Sequence, residues 1–182
     1  MTRRTSTVIL TALVAVVSFT AAVLLYQRHE RQQAAERAVA QSDVMVRPHS
    51  PVIGPVDAPV TIVEFFDPAC EACRAFHPYV KQILTAFPRE ARLVIRYVPF
   101  HREPSVAGVQ ILEAARQQQR FGPVMDALLE SQPVWASHNS PDPDRIRATP
   151  TFFVNGKPLP QPDPRVLLEM IRNEVARIGK TK

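Results

Sequence analysis

The chain contains two cysteines, Cys70 and Cys73, and both lie where a strand-like segment meets a helix-like one. Residues 60–66 are rich in β-branched and aromatic side chains, which predicts a buried strand, and residues 74–84 have helical apolar spacing. Cysteines at this spacing in a first helical turn lie on one face, within the distance that a disulfide bridges. The N-terminus of a helix favours the thiolate, which is the form that attacks disulfides. The order strand, turn, C-x-x-C and helix therefore predicts a redox-active site.

Two simpler interpretations of the cysteine pair stay open. One is half of a zinc site, with His77 and His101 as further ligands, because structural zinc usually takes four ligands and the chain has no second cysteine pair. The other is a purely structural disulfide. A bridge that closes so short a loop removes little entropy from the unfolded chain, so it would stabilise the fold weakly.

The N-terminal segment has the composition of an export signal or a membrane anchor. Arg3 and Arg4 precede a run from Thr5 to Gln27 that has no charged residue and is about long enough to span a bilayer. We interpret residues 1–27 as an uncleaved signal anchor, that is, a single transmembrane helix, with a cleaved signal peptide as the alternative. Residues 28–50 are mostly polar and are interpreted as a stalk or linker.

Residues 51–182 are long enough to form one domain with its own core. The net charge does not indicate nucleic-acid binding: of the formal +5, only +2 falls in this domain, and no basic stripe with interleaved aromatic residues is visible. Disulfide chemistry of this kind is common on the oxidising side of a membrane. We therefore expect the domain to face the periplasm or another extracytoplasmic space.

Strands and helices alternate along this domain. A helix from Cys70 to about Phe87 and a second strand at residues 92–98 complete a βαβ unit with parallel strands. The further elements predicted, in chain order, are helices at 105–119 and 123–131 with a break at Phe121-Gly122, a strand at 151–154, an edge strand at 157–159, and a closing helix that begins at Asp163. Asn155-Gly156, between the last two strands, is a strong two-residue hairpin signal.

Two segments resemble those of one known family, FFDPACEAC at residues 65–73 and ATPTFFVNG at residues 148–156. With these segments in this order, and with helices following Pro99, residues 60–178 resemble the DsbA-like branch of the thioredoxin fold. The members of that branch are exported thiol–disulfide oxidoreductases. The resemblance implies an α/β thioredoxin fold, made of a βαβ half, a helical insert at about residues 100–148, and a ββα half.

The resemblance also implies roles for single residues. Cys70 would be the exposed nucleophile and Cys73 the resolving thiol, with Thr149-Pro150 as a cis peptide that faces them and frames the substrate groove. Glu64, in an otherwise apolar strand, would relay protons to and from the resolving thiol, unless it reaches water at the strand end. No metal or organic cofactor is implied. The implied partners are exported proteins with cysteines and a membrane quinone-linked oxidase that recycles the disulfide.

Two features depart from the family pattern. The dipeptide between the cysteines is Glu71-Ala72 instead of the Pro-His of the strongly oxidising members, and the negative charge of Glu71 is expected to raise the pKa of Cys70. The insert is also shorter than usual after Trp135. We expect an extracytoplasmic oxidoreductase for cysteine pairs of exported proteins. A dedicated reductase or isomerase, and a non-catalytic partner- or metal-binding module, are the alternatives.

Overall fold

The computed structural model describes residues 13–27, 29, 45–136 and 149–179. The chain divides into two units, Met1–Ala40 and Gln41–Lys182. In the first unit, residues 13–27 form a helix with exposed side chains. Within the described residues, no helix combines the length and the apolar character that a membrane span requires. The rest of the predicted anchor and most of the predicted stalk lie outside the described residues.

The second unit is built on a five-stranded sheet with the strand order β1-β3-β2-β4-β5. The strands are β1 (Val52–Ile53), β2 (Val60–Phe66), β3 (Ala91–Tyr97), β4 (Thr151–Val154) and β5 (Lys157–Pro158). The pair β2 and β3 is parallel, and the other neighbouring pairs are antiparallel. The predicted βαβ unit and the predicted edge strand after the hairpin are therefore confirmed, whereas β1 was not predicted.

Five helices accompany the sheet in the described part of the second unit. They are α1 (Glu71–Ala86), α2 (Glu103–Gln117), α3 (Phe121–Glu130), α4 (Gln132–Trp135) and α5 (Pro164–Gly179). The two predicted helices with a break between them are confirmed, but the break lies at residues 118–120 rather than at Phe121-Gly122, which open α3; the chain turns at Gln119, where φ is 58°. Burial explains the difference: Phe121 packs into the core, and this contact outweighs the low helix propensity of the glycine beside it.

The core lies between one face of the sheet and the helices. Strand alternation places Val60, Ile62 and Phe66 on this face, where all three are fully buried. Glu64 has the same parity, so it also points into the core, in register with Ile95 on β3 and Phe152 on β4. The strand geometry thus brings a carboxyl group under the start of α1, which follows β2 after a short turn.

Two further features depend on special backbone geometry: the turn of the hairpin between β4 and β5, and the close approach of a glycine on α2 to Pro68. Asn155, with φ of 46°, and Gly156, with φ of 77°, form the predicted hairpin turn. On α2, a Cβ atom added to Gly108 would lie 2.6 Å from the Cβ atom of Pro68. Only glycine permits this contact, so α2 packs directly against the segment that carries the cysteines. The helical insert is confirmed by α2, α3 and α4, while residues 137–148 lie outside the described residues.

Candidate active site

Cys70 is the N-cap residue of α1 and Cys73 lies in its first turn. The Sγ atom of Cys70 accepts a hydrogen bond from the backbone N–H of Cys73 at 3.5 Å, and in its protonated form it donates to the carbonyl of Thr149, also at 3.5 Å. Both cysteines are free thiols. The expected exposure of Cys70 is wrong, because only 1% of the residue is accessible. Thr149 packs over the sulfur, a contact between residues far apart in the sequence.

The two thiols have opposite acidity. The pKa of Cys70 is lowered from 9.0 to about 6, chiefly by a hydrogen bond from the Cys73 side chain and, against the effect of burial, by further bonds from Thr149 and backbone amides. Burial is the main cause that raises the pKa of Cys73. The expected rise in the pKa of Cys70 from the exposed Glu71 is therefore not the outcome, since these hydrogen bonds outweigh it. At neutral pH Cys70 is the thiolate and Cys73 is the thiol.

Glu64 is the third titratable group of this site. It is 1% exposed, and burial, with a smaller contribution from the charge of Cys70, raises its pKa from 4.5 to about 8. The charge of Glu64 in turn helps to raise the pKa of Cys73. A carboxyl group with this pKa holds its proton at neutral pH and can still release it, which is the property that proton transfer to a thiolate requires.

The segment Thr149-Pro150 lies against the cysteine pair, and its peptide bond is cis. An apolar groove of about 690 Å³ extends from it, between the first turns of α1 and the segment after β5. The groove is lined by Ala72, Ala75, Phe76, Thr149, Pro150, Thr151, Phe152, Leu159, Pro160, Gln161 and Pro162. None of these side chains is charged, so the groove suits an uncharged, extended peptide segment; that it binds substrate stays a prediction.

Sequence reasoning missed two buried polar residues that hold the cysteine segment. The carboxylate of Asp67, fully buried, accepts hydrogen bonds from the backbone N–H groups of Ala69 and Phe100 at 2.9 and 2.8 Å. The side-chain amide of Gln132, on α4, donates to the carbonyls of Pro68 and Cys70 at 2.7 and 3.0 Å. The position of Asp67 just after β2 was a signal for a capped turn. No local feature of the sequence distinguishes Gln132.

The two histidines considered as zinc ligands have carboxylate partners. His77 Nε2 lies 2.7 Å from Asp126 Oδ1, and His101 Nδ1 lies 2.7 Å from Asp67 Oδ2. Their side chains are only 12% and 16% exposed, so neither is the simple surface residue that a position on a helix or loop suggests. In both cases a partner distant in the sequence, rather than the cysteine pair, accounts for the position of the imidazole.

Comparison with solved structures shows the same fold in several proteins. BdbD from Bacillus subtilis aligns with a TM-score of 0.57 at 22% identity, over 70% of this chain and 93% of that one. The catalytic domain of ScsC from Proteus mirabilis aligns with a TM-score of 0.58 at 20% identity, over 78% and 98%. For α-DsbA1 from Wolbachia pipientis the TM-score is 0.64 at 15% identity, over 78% and 99%. The described domain thus has the DsbA-like form of the thioredoxin fold.

The C-x-x-C pair lies at the start of the first helix of this thioredoxin fold. A family model described as thioredoxin matches residues 46–144, and the chain belongs to the thioredoxin family. Among curated proteins, it is similar to the Na(+)/H(+) antiporter NhaA 1 of Salinispora arenicola, with 33% identity over 58% of this chain. It matches NhaA 3 of Salinispora tropica at 31% identity. The chain spans only 22% of the length of either antiporter.

Proposed function

We propose that this protein oxidises cysteine pairs of exported proteins on the extracytoplasmic side of the cell membrane. The observation that carries the proposal is the lowered pKa of Cys70, about 6, at the N-cap of α1. A stabilised thiolate favours the reduced form of the pair, and a pair whose reduced form is stabilised is a strong oxidant when it carries the disulfide. This acidity favours the oxidising direction over a dedicated reductase.

The reaction begins from the disulfide between Cys70 and Cys73. A substrate thiolate attacks the sulfur of Cys70, a mixed disulfide forms, and the electron pair of the broken S–S bond leaves with Cys73 as a thiolate. Glu64, protonated at neutral pH, gives its proton to that thiolate, whose pKa burial raises. The second substrate thiol, deprotonated, then attacks the substrate sulfur of the mixed disulfide. The substrate leaves oxidised, and Cys70 leaves as the thiolate that its hydrogen bonds stabilise.

We assign substrate binding to the groove beside Thr149-Pro150. An extended peptide laid along this segment could pair with the backbone of Thr149 as an added strand, while its side chains contact the apolar lining. Because Thr149 covers the sulfur of Cys70, binding must shift this segment enough to admit the substrate thiolate. The uncharged lining favours segments in which the residues next to the cysteine are uncharged.

The placement outside the cytoplasm rests on the sequence of the N-terminus. Arg3 and Arg4 followed by the uncharged run to Gln27 support a single-pass signal anchor with the catalytic domain on the extracytoplasmic side. A membrane quinone-linked oxidase would then return the reduced pair to the disulfide. Neither step requires a metal or an organic cofactor in this chain.

The redox state of the pair in intact cells tests this function. Free thiols are trapped with a membrane-permeant alkylating reagent of defined mass, and the number of labels on the full-length protein is read by gel shift. A largely oxidised Cys70–Cys73 pair is expected for an oxidase. A largely reduced pair would identify a reductase instead. A reagent that does not cross the inner membrane, applied to the Cys73→Ser variant, reports the side on which Cys70 lies.

A further inference from the structure

The carboxylate of Asp67 ties the cysteine segment to the turn before α2. Its Oδ1 accepts from Ala69 N at 2.9 Å. Its Oδ2 accepts from Phe100 N at 2.8 Å, from His101 N at 3.2 Å and from His101 Nδ1 at 2.7 Å. The Asp67 side chain has no accessible surface, whereas the imidazole of His101 is 16% exposed. The carboxylate is therefore fully occupied by donors, and a side chain near the surface supplies one of them.

The backbone of Asp67 bonds to both cysteines, to the N–H of Cys70 and to the thiol of Cys73. Its carbonyl accepts the backbone N–H of Cys70 at 3.1 Å, just before α1 begins. A hydrogen bond from its own N–H lowers the pKa of Cys73, against the larger effect of burial. Asp67 thus holds the turn at residues 67–70. This turn places the Cys70 sulfur beside the N–H of Cys73 and the carbonyl of Thr149.

The turn on the other side of the pair is held at several points. The N–H of His101 also donates to the hydroxyl of Ser105 at 3.0 Å, and Ser105 is fully buried. Arg102, the next residue, has φ of 58° and ψ of −128°, a conformation that is costly for a residue with a Cβ atom. Such a conformation persists only where neighbouring contacts determine it. His101 is thus anchored through its backbone and its imidazole alike.

We propose that His101 is a positioning residue for disulfide exchange, acting through Asp67 to hold the turn that presents the sulfur of Cys70. If the imidazole donor is lost, the Asp67 carboxylate loses a partner and the turn at residues 67–70 loosens. The Cys70 sulfur is then hydrogen-bonded for a smaller fraction of the time, so its thiolate is less stabilised. The proposal rests on the proposed function only in that exchange occurs at Cys70, whichever way electrons flow in the cell.

A pair of variants at one position separates this role from general packing. In the full-length protein, His101→Leu removes the donor at Nδ1, whereas the side-chain amide of His101→Asn places a donor at nearly the same position. The acid dissociation constant of Cys70 is measured from thiolate absorbance against pH. For His101→Leu it is expected to fall about fivefold, the size of one net hydrogen bond, and for His101→Asn it is expected to stay close to the parent value.

Two further variants complete the test. Glu174→Gln is the matched control, because Glu174 is also a buried carboxylate with several donors but binds Asn155, Lys157 and Arg177 instead of the cysteine segment. It should lower the thermal midpoint and leave the acidity of Cys70 unchanged. In an Asp67→Asn background, His101→Leu should have no further effect, because the partner through which it acts has already been altered.

The proposal is overturned if His101→Leu leaves the acidity of Cys70 unchanged, if His101→Asn weakens it as much as His101→Leu does, or if Glu174→Gln weakens it equally. A full effect of His101→Leu in the Asp67→Asn background would also overturn it, because the imidazole would then act by another route. The proposed function fails separately, through a reduced pair in trapped cells. The titration of the purified protein does not depend on that result.

Discussion

The side-chain amide of Gln132 donates a hydrogen bond to the backbone carbonyl of Cys70 at 3.0 Å, which links the helical insert directly to the cysteine segment. Gln132 is 1% exposed, and its Oε1 accepts from Arg74 Nε at 3.0 Å. Both ends of the amide are therefore paired in a buried position. The insert thus contacts the proposed active site through this residue.

Replacing Gln132 with Met should destabilise the domain by about 1–3 kcal/mol. Methionine has an apolar side chain of similar length, so the buried carbonyl of Pro68 loses its hydrogen-bond donor. Urea unfolding of the full-length protein measures the change. Gln118→Met is the matched control, since the amide of Gln118 bonds to Ala114 at an exposed position at the end of α2. Equal stability of the two variants would contradict this assignment.

Cys73→Ser is expected to accumulate mixed disulfides with other exported proteins, whereas Cys70→Ser is not. The reason is the difference in acidity: the pKa of Cys70 is about 6, while burial raises that of Cys73. Non-reducing gels of cells that produce each variant give the measurement, and the doubly substituted protein is the background control. The opposite pattern would exchange the roles of nucleophile and resolving thiol.

Glu64→Gln should remove a pH dependence of stability. In the folded protein the pKa of Glu64 is about 8, above its ordinary value of 4.5. Between these two values the folded state therefore holds a proton that the unfolded state has lost. Stability consequently falls as pH rises from 4.5 to about 8, and the loss contributed by this residue is at most about 5 kcal/mol.

Urea unfolding of parent and Glu64→Gln across this pH window is the measurement, made in a Cys70→Ser background so that the Cys70 thiolate does not contribute. The free energy of unfolding of Glu64→Gln, relative to that of the parent, should rise up to about pH 8 and then level off. A constant difference at all pH values would mean that Glu64 is already ionised in the folded protein, and the proposed proton transfer to Cys73 would lose its donor.

Gln161→Glu introduces a charge at the exposed rim of the groove and should slow exchange with acidic peptide substrates by roughly twofold to fivefold at low salt, because like charges repel at the surface. Added salt should restore the rate. The measurement compares kcat/KM for acidic and neutral peptides, with a small dithiol as a substrate that does not need the groove. An equal loss for the small dithiol would place the effect at the cysteines instead.

Glu71→Gln should lower the pKa of Cys70 below its present value of about 6, but only slightly, since Glu71 is exposed and water screens its charge. Thiolate absorbance against pH measures the change, and Glu71→Lys should extend it in the same direction. If the two variants and the parent titrate alike, the dipeptide between the cysteines does not tune the acidity of this thiolate.

The features that could be predicted from the sequence depend on neighbouring residues. The β-branched run at Val60–Phe66, the hairpin at Asn155-Gly156 and the placement of C-x-x-C at the start of α1 each follow from local conformational preferences and apolar spacing. The same holds for the inward direction of Glu64, because alternation along a strand determines the face of each residue. These properties need no knowledge of what packs above them.

Only the tertiary structure decided how the cysteines are covered and held. Thr149 meets Cys70 across 79 positions of the chain, the amide of Gln132 across 62, and His101 meets Asp67 across 34. A local pattern does not encode such partners, because any buried polar residue needs a partner while its own surroundings do not specify which one. Among these contacts Thr149 lowers the pKa of Cys70, together with the local hydrogen bonds from Cys73 and Ala72. The sequence thus indicated the candidate nucleophile, whereas the packing of a distant segment determined its burial.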